Sequence, residues 1–258
     1  MPEDEDLALI TEAALAAGEI AARHFRSDIE TWDKGGGQGP VSEADLEIDA
    51  FLRSMLLERR PDYGWLSEET EDEPTRLSRR RVFIVDPIDG TRAFIAGQPT
   101  FSHSIAIAEE GEVVAGVVHL PMKSRTFAAT RGGGATLNGA AIAPSSRVEV
   151  EGARVLCTSA SMAPPLWRDD TPPVVDRHFR SSLAYRLCLV AQGRFDAMLT
   201  LRDAWEWDVA AGDLIAREAG ALVETARHQR ARYNNPRPLL PGMVAAGPGL
   251  MPGLMARL

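Results

Sequence analysis

The sequence predicts a mixed α/β fold with an α+β half in residues 1–150 and an α/β half in residues 151–258. Three observations support this prediction: an amphipathic pattern near the N-terminus, short β-branched runs after residue 81, and an alternation of strand and helix patterns after residue 150. The chain has 258 residues, of which 45% are hydrophobic, so it can bury a large core. We therefore expect two closely joined lobes that meet near residue 150.

The first half begins with two predicted helices separated by a loop. Apolar residues recur at steps of three and four over residues 7–25, which predicts an amphipathic helix. Residues 33–40 are rich in glycine and lack periodicity, which predicts a mobile loop. Ser42 and Asp45 have the spacing of a capping box, so a second helix is expected to begin after Ser42 and to run to Glu58.

A buried strand and a sheet are predicted next. Residues 82–85 are apolar and mostly β-branched, which predicts a strand that ends at Asp86 and Pro87. Asn138-Gly139 predicts a tight turn. Antiparallel strands are expected at 102–109, 113–119 and 125–130.

The second half alternates between the two kinds of element, which favours a sheet covered by helices. Strands are predicted at 153–158, 196–201, 221–224 and 243–246, and helices at 182–192, at 206–219 and from 249.

Charge and cysteine content limit the partners and the location. A formal net charge of −9 disfavours nucleic-acid polymers and anionic membrane surfaces as partners. Cys157 and Cys188 stand in apolar runs without C-x-x-C spacing, which predicts reduced, buried thiols. The acidic N-terminus and the lack of an apolar run of roughly 18 residues predict neither a signal peptide nor a membrane span. We expect a cytoplasmic protein.

The acidic segment Asp86-Pro87-Ile88-Asp89-Gly90-Thr91 is the strongest local signal for chemistry. It places two carboxylates three residues apart at the end of a predicted strand. Carboxylates and backbone carbonyls are the hard oxygen ligands that Mg²⁺ prefers, while Gly90 allows close approach of the backbone to a phosphate. An isolated D-P-x-D-G sequence is equally compatible with an Asx-type turn whose acids are solvated.

Three other acids are placed where they could complete a metal site, namely Asp45, Glu68 and Asp208. Each has a simpler explanation when it is taken alone. Asp45 fits a capping box, Glu68 fits a surface pair with Glu69, and Asp208 fits a charge that stabilises the start of a helix.

The combination resembles the signature motifs of the inositol monophosphatase family, whose members are Mg²⁺-dependent, lithium-sensitive phosphatases. The motifs lie in the family's order along most of the chain, at Trp65–Glu69, at Asp86–Thr91 with Phe94, and at Trp207–Gly212 with 218–220. The resemblance implies a layered α-β-α-β-α sandwich of the sugar-phosphatase type. It also implies a homodimer, since many members are dimers, and a small phosphorylated metabolite as the partner.

The resemblance assigns roles to the matching positions, with two to three Mg²⁺ ions per site. Metal ligands are implied at Glu68, Asp86, the Ile88 carbonyl, Asp89 and Asp208; Asp86 bridges two ions. Catalytic roles are implied for Asp45, Glu68 and Thr91, of which Asp45 and Thr91 orient or deprotonate the attacking water. Substrate contacts are implied at Asp89, Gly90, Thr91 and Lys34, the last in a loop that closes over the site. Two metals can activate a water and stabilise a leaving oxygen in an in-line displacement.

The substrate is predicted from the segment before Trp207, from the glycine-rich loop and from the tail 232–238. Inositol-directed members carry an acid near Thr200 or Leu201, but neither residue is acidic here, and Asp203 or Glu206 could substitute. The glycine-rich loop and the tail 232–238 are similar to the bacterial 3′(2′),5′-bisphosphate nucleotidase branch.

Two arginines could pair with the second phosphate of such a substrate. Arg202 and Arg237 have the guanidinium fork that suits phosphate oxygens, and solvated surface arginines are an equally good explanation. The sequence thus predicts a metal-dependent phosphomonoesterase that converts 3′-phosphoadenosine 5′-phosphate to AMP. The alternatives are an inositol-1-phosphate or histidinol-phosphate phosphatase and, in another class, an inactive metabolite-binding scaffold.

Overall fold

The computed structural model describes residues 2–27, 29–33, 35 and 39–258. The helices are α1 (Pro2–His24), α2 (Glu43–Arg59), α3 (Thr91–Ile95), α4 (Leu183–Ala191), α5 (Glu206–Glu218) and α6 (Met251–Met255). Strands of the first half are β1 (Thr31–Asp33), β2 (Pro40–Ser42), β3 (Gly64–Ser67), β4 (Arg81–Asp89), β5 (Ser102–Glu109), β6 (Glu112–Leu120), β7 (Arg125–Thr130), β8 (Gly134–Leu137) and β9 (Ala140–Ala141). Strands of the second half are β10 (Arg154–Leu156), β11 (Asp176–His178), β12 (Ala197–Thr200), β13 (Ala204–Trp205), β14 (Leu222–Glu224), β15 (Leu239–Leu240) and β16 (Met243–Ala246).

Two larger sheets organise the described residues. The first has seven strands in the order β3-β4-β5-β6-β7-β8-β9, antiparallel except for the parallel pair β3–β4. The second is a mixed sheet of five strands in the order β11-β10-β12-β16-β14. Short pairs β1–β2 and β13–β15 flank them.

The two sheets alternate with helices to give five layers. Side chains of successive strand residues point to opposite faces, so Val82 and Ile84 of β4 pack toward α4 and α5, whereas Phe83 and Val85 pack toward α1 and α2. The five-stranded sheet covers the other side of α4 and α5, and α6 packs on its outer face. The predicted α-β-α-β-α sandwich is therefore confirmed.

One strand boundary in the prediction is wrong, and it lies at the acidic segment. β4 continues through Asp86 to Asp89, with Asp86 opposite Ser104 and Asp89 opposite Ser102. Between these two pairs β4 advances by three residues and β5 by two, so β4 contains a β-bulge. A proline is tolerated at a bulge, which explains Pro87 inside the strand. The chain turns only at Gly90, where φ is +99°.

The other predicted elements are present with small shifts at their ends. The helix expected over 7–25 spans Pro2–His24, and the helix expected from 249 begins at Met251. Asn138 and Gly139 have φ values of 50° and 80° and form the predicted tight turn between β8 and β9. Within the described residues, no helix has both the length and the apolar composition needed to cross a membrane.

Candidate active site

Three carboxylates from distant parts of the chain meet at the end of strands β3 and β4. Glu68 follows β3 directly and is held by a hydrogen bond from its backbone N–H to the Val85 carbonyl, 3.2 Å. Asp86 lies on the neighbouring β4, and Asp208 lies in the first turn of α5. One oxygen from each of the three side chains lies within 4.8 Å of the others. The structure thus brings together Glu68, Asp86 and Asp208.

The electrostatics of this cluster fit a divalent cation. Burial raises the pKa of Asp86 well above its usual value, and repulsion from Glu68, Asp89 and Asp208 raises it further. The pKa of Asp208 is raised in the same way, mainly by burial. No described residue forms a hydrogen bond to the buried Asp86 Oδ1. Because a hard cation would both neutralise the repulsion and bind this oxygen, the donor set can hold a metal ion.

Asp89 lies beside the cluster, but its oxygens are turned toward the start of α4. The carboxylate accepts hydrogen bonds from Ser182 Oγ (2.7 Å), Leu183 N (3.1 Å) and Ala184 N (2.7 Å). Burial nevertheless raises its pKa to about 6. Asp89 therefore binds the N-terminus of α4, and its role as a metal ligand stays a prediction.

Asp45 and Thr91 form a hydrogen-bonded pair next to the end of strand β4. Asp45 Oδ2 accepts from Ser42 N (2.8 Å) and Ser42 Oγ (2.5 Å), the arrangement expected of the capping acid. Thr91 Oγ1 lies 3.2 Å from Asp45 Oδ1 and 3.1 Å from the Ile88 carbonyl, so its single proton can be donated to either oxygen. Burial raises the pKa of Asp45 to about 6. The pair can therefore take up a proton near neutral pH.

A second acid on α2 was missed by the sequence analysis. Asp49 accepts hydrogen bonds from Ser67 and from Thr70, the latter at 2.5 Å. Ser67 and Thr70 lie on either side of Glu68 in the sequence. Their hydrogen bonds to Asp49 therefore connect the segment that contains Glu68 to α2. The available signal was its spacing of four from Asp45, which places both acids on one helix face.

Two buried histidines were also missed, since they are far apart in the sequence. His103 and His119 lie opposite each other on β5 and β6, with ring centroids 6.2 Å apart. Burial lowers the pKa of each to about 4, so both rings are neutral near pH 7. His103 Nδ1 lies 2.5 Å from the Pro87 carbonyl. A neutral ring with a proton on Nδ1 donates to this carbonyl and fixes the bulge between Asp86 and Asp89.

The predicted cationic residues divide into two groups. Lys34 lies outside the described residues, and Arg202 and Arg237 are exposed. Arg202 lowers the pKa of Asp208, which places it close to the cluster. Arg186 of α4 is an additional buried cation whose charge interacts with those of Asp89, Asp208 and Arg202.

Glu206 is bound to a loop near the C-terminus, which argues against the interpretation of the sequence in which it binds a substrate hydroxyl group. Its side chain is fully buried, and it accepts hydrogen bonds from Asn234 N (2.6 Å), Asn235 N (3.0 Å) and Asn235 Nδ2 (2.6 Å). Asp203 is exposed.

A cleft of about 430 Å³ reaches Glu68 from the solvent. Its walls come from the β1–β2 hairpin, the start of α2 and the segment after β3. Trp32 and Leu46, which line it, are 44% and 43% exposed. The cleft therefore places two apolar side chains close to the carboxylates, in a lining that is otherwise mostly acidic.

Comparisons with known proteins identify the family of the chain. The sequence profile of the inositol monophosphatase family matches residues 3–257. The chain is 33% identical to the inositol-1-monophosphatase of Rhizobium meliloti, covering 93% of this chain and 91% of that protein. It is 33% identical to the histidinol-phosphatase of Chlorobaculum parvum (98% and 96% covered) and 34% identical to the Nus factor SuhB of Haemophilus influenzae (84% of each).

Solved structures agree with the fold. The inositol monophosphatase of Thermotoga maritima superposes with a TM-score of 0.83 at 27% identity, with 98% of this chain and 96% of that chain covered. The match over nearly the whole length identifies the fold, and the profile identifies the relationship. The chain therefore belongs to the inositol monophosphatase family of phosphatases.

Proposed function

We propose that this protein is a Mg²⁺-dependent phosphomonoesterase and that it converts 3′-phosphoadenosine 5′-phosphate to AMP and phosphate. The observation that carries the metal-dependent chemistry is the convergence of Glu68, Asp86 and Asp208, together with the unpartnered Oδ1 of Asp86 among the described residues. Such a site suits Mg²⁺ because every donor is an oxygen. The Ile88 carbonyl and Asp89 are proposed as further ligands.

The chain's own residues provide the proton transfer. When bound, Mg²⁺ supplies positive charge that offsets the phosphate and carboxylate charges and lowers the pKa of a water molecule. The attacking water gives a proton to Thr91 Oγ1, while the Thr91 hydroxyl proton passes to Asp45 Oδ1, 3.2 Å away. The hydrogen bonds from Ser42 hold Asp45 in place for this transfer. Backbone amides of Gly90 and Thr91 are proposed to bind the phosphate oxygens.

Two features support a bisphosphorylated nucleotide. Arg186 and Arg202 provide two cations close to Asp208, where a second phosphate would need them. Trp32 provides an exposed indole in the cleft, on which a nucleobase can stack. The burial of Glu206 also removes one candidate acid for binding the hydroxyls of a cyclitol.

The names of the relatives favour a second candidate. An inositol-1-monophosphatase and a histidinol-phosphatase are each 33% identical to this chain, so inositol 1-phosphate and histidinol phosphate are the alternative substrates. A non-catalytic binding protein is the alternative of another class. Against it stands the energetic cost of keeping mutually repelling carboxylates buried.

Release of phosphate decides between the substrates. We would compare kcat/KM for 3′-phosphoadenosine 5′-phosphate, inositol 1-phosphate, fructose 1,6-bisphosphate and histidinol phosphate with Mg²⁺ present. The proposal expects the nucleotide to have the highest value and Arg202→Gln to lower that value more than the value for inositol 1-phosphate. A higher kcat/KM for inositol 1-phosphate would contradict the proposed nucleotide substrate. It would leave the proposal of a metal-dependent phosphatase intact. No hydrolysis of any ester and no heat of Mg²⁺ binding would favour the binding protein.

The same preparation tests two further parts of the proposal. Inhibition by Li⁺ is expected, and light scattering tests for the homodimer. A cytoplasmic location is proposed because Cys157 and Cys188 are buried free thiols.

A further inference from the structure

A fully buried arginine, Arg76, lies at the centre of a polar network that involves segments close in sequence to Glu68 and Asp208. Its side chain is 1% exposed. The guanidinium donates two hydrogen bonds to Asp72, at 2.6 and 2.8 Å. It donates two more to Asn234 Oδ1 (2.5 Å) and to the Asn235 carbonyl (2.9 Å). Arg76 therefore joins the segment after Glu68 to a loop near the C-terminus.

The same loop holds the start of α5. The backbone N–H groups of Asn234 and Asn235 donate to the two oxygens of Glu206, at 2.6 and 3.0 Å. Glu206 is the first residue of α5, two residues before Asp208. The network thus runs from Asp72, four residues after Glu68, to Glu206.

We propose that Arg76 is a positioning residue that holds the segments of Glu68 and Asp208 at the separation needed for a shared metal ion. This inference rests on the proposed metal site. The two ligands come from segments more than a hundred residues apart in the sequence, and the network bridges these two segments through hydrogen bonds to Asp72 and to Glu206. Partners of metal ligands commonly tune affinity in this way.

The benefit is expected in metal affinity more than in stability. The guanidinium of Arg76 is buried whereas Asp72 is exposed, and the cost of removing the buried charge from water offsets much of the attraction between them. An apolar residue of similar volume could fill the site of Arg76. It could not connect Asp72 to the loop that binds Glu206.

The test compares two matched arginines by calorimetric titration of the metal-free protein with Mg²⁺. Arg76→Met is expected to raise the Kd for Mg²⁺ by about tenfold, with Arg76→Lys retaining part of the affinity. The control is Arg217→Met, since Arg217 is 23% exposed and, like Arg76, is paired with the aspartate four residues before it, Asp213. Both partners of that pair lie on α5, so Arg217→Met should alter the melting temperature and leave the Kd unchanged.

A second variant protects the test against misfolding of Arg76→Met. Asn234 has a φ of +60°, which glycine adopts without strain. Asn234→Gly removes the oxygen that accepts from Arg76 and keeps the backbone N–H that binds Glu206. It should raise the Kd in the same direction, with a higher Mg²⁺ requirement for activity and little change in kcat at saturating Mg²⁺.

The outcomes separate the two proposals. Equal Kd values in the wild type, Arg76→Met and Asn234→Gly would overturn the positioning role and leave the phosphatase standing. An equal rise of the Kd for Mg²⁺ in Arg217→Met would also overturn the positioning role, because a general loss of stability would then explain the effect. No Mg²⁺ binding by the wild type would overturn the proposed metal site itself.

Discussion

Replacing His103 by asparagine is expected to make the protein less sensitive to mild acid. His103 is fully buried and donates from Nδ1 to the Pro87 carbonyl. The side-chain amide of asparagine can reproduce this donor at a similar position, but it does not titrate. His103→Asn therefore keeps the hydrogen bond to the bulge and removes only the proton-binding group.

The sign and size of the effect follow from the pKa of His103. Burial lowers this pKa from 6.5 to about 4. Between these values the unfolded chain binds a proton that the folded chain does not, so stability is complete above pH 6.5 and falls as the pH drops toward 4. The loss attributable to His103 between pH 7 and pH 5 is about 2 kcal/mol, from about 1.4 kcal/mol per pKa unit.

Urea unfolding in a chelating buffer at pH 7 and pH 5 measures this loss. The difference in unfolding free energy between the two pH values should be smaller in His103→Asn than in the wild type by about 2 kcal/mol. The buried carboxylates contribute to both proteins, so they cancel in the comparison. His119 also cancels apart from its repulsion with His103, which is the smallest cause of the His103 shift. The control is His228→Asn, since His228 is exposed and its φ of +58° suits asparagine. The reasoning fails if His103→Asn loses as much stability on acidification as the wild type and His228→Asn do.

Three further predictions concern the active site. Thr91→Val should lower kcat by about a hundredfold or more with little change in Mg²⁺ binding, because only the proton transfer is lost; a near-normal kcat in steady-state assays would contradict the relay. Asp208→Asn and Asp89→Asn should each lose most activity at modest Mg²⁺ whereas Glu69→Gln should be mild, which Mg²⁺ titration of the rate will show. Gly90→Ala should destabilise the fold by about 1–2 kcal/mol because its φ is +99°, measured as a lower urea midpoint; an unchanged midpoint would argue against strain at the turn.

The acids of the site could be predicted because their spacing along the chain follows recognisable motifs. Glu68, Asp86 and Asp208 lie in three such motifs, and the structure places their oxygens together. The strand boundary at Asp86 was mispredicted because Pro87 normally interrupts a strand. Here a bulge accommodates it, and pairing resumes at Asp89.

The supporting residues could not be predicted, because their partners are distant in the sequence. His103 pairs with His119 only through the register of β5 and β6. Arg76 gives no local sign of burial, since arginine is usually exposed. Asp72 is only four residues away, but the contacts with Asn234 and Asn235 lie some 160 positions away. Such contacts depend on how the layers pack against each other. The periodicity of apolar residues along the sequence gives no information about that packing.

The late position of Asp208 in the sequence has a consequence for synthesis. Glu68 and Asp86 leave the ribosome early, while Asp208 and the α4 amides that bind Asp89 follow about a hundred residues later. Ribosomes synthesise a polypeptide at roughly 5–20 residues per second. A nascent chain therefore spends several seconds with an incomplete set of acids. Phosphate release should begin only once α5 has docked, so enzyme activity would report the completion of folding during translation.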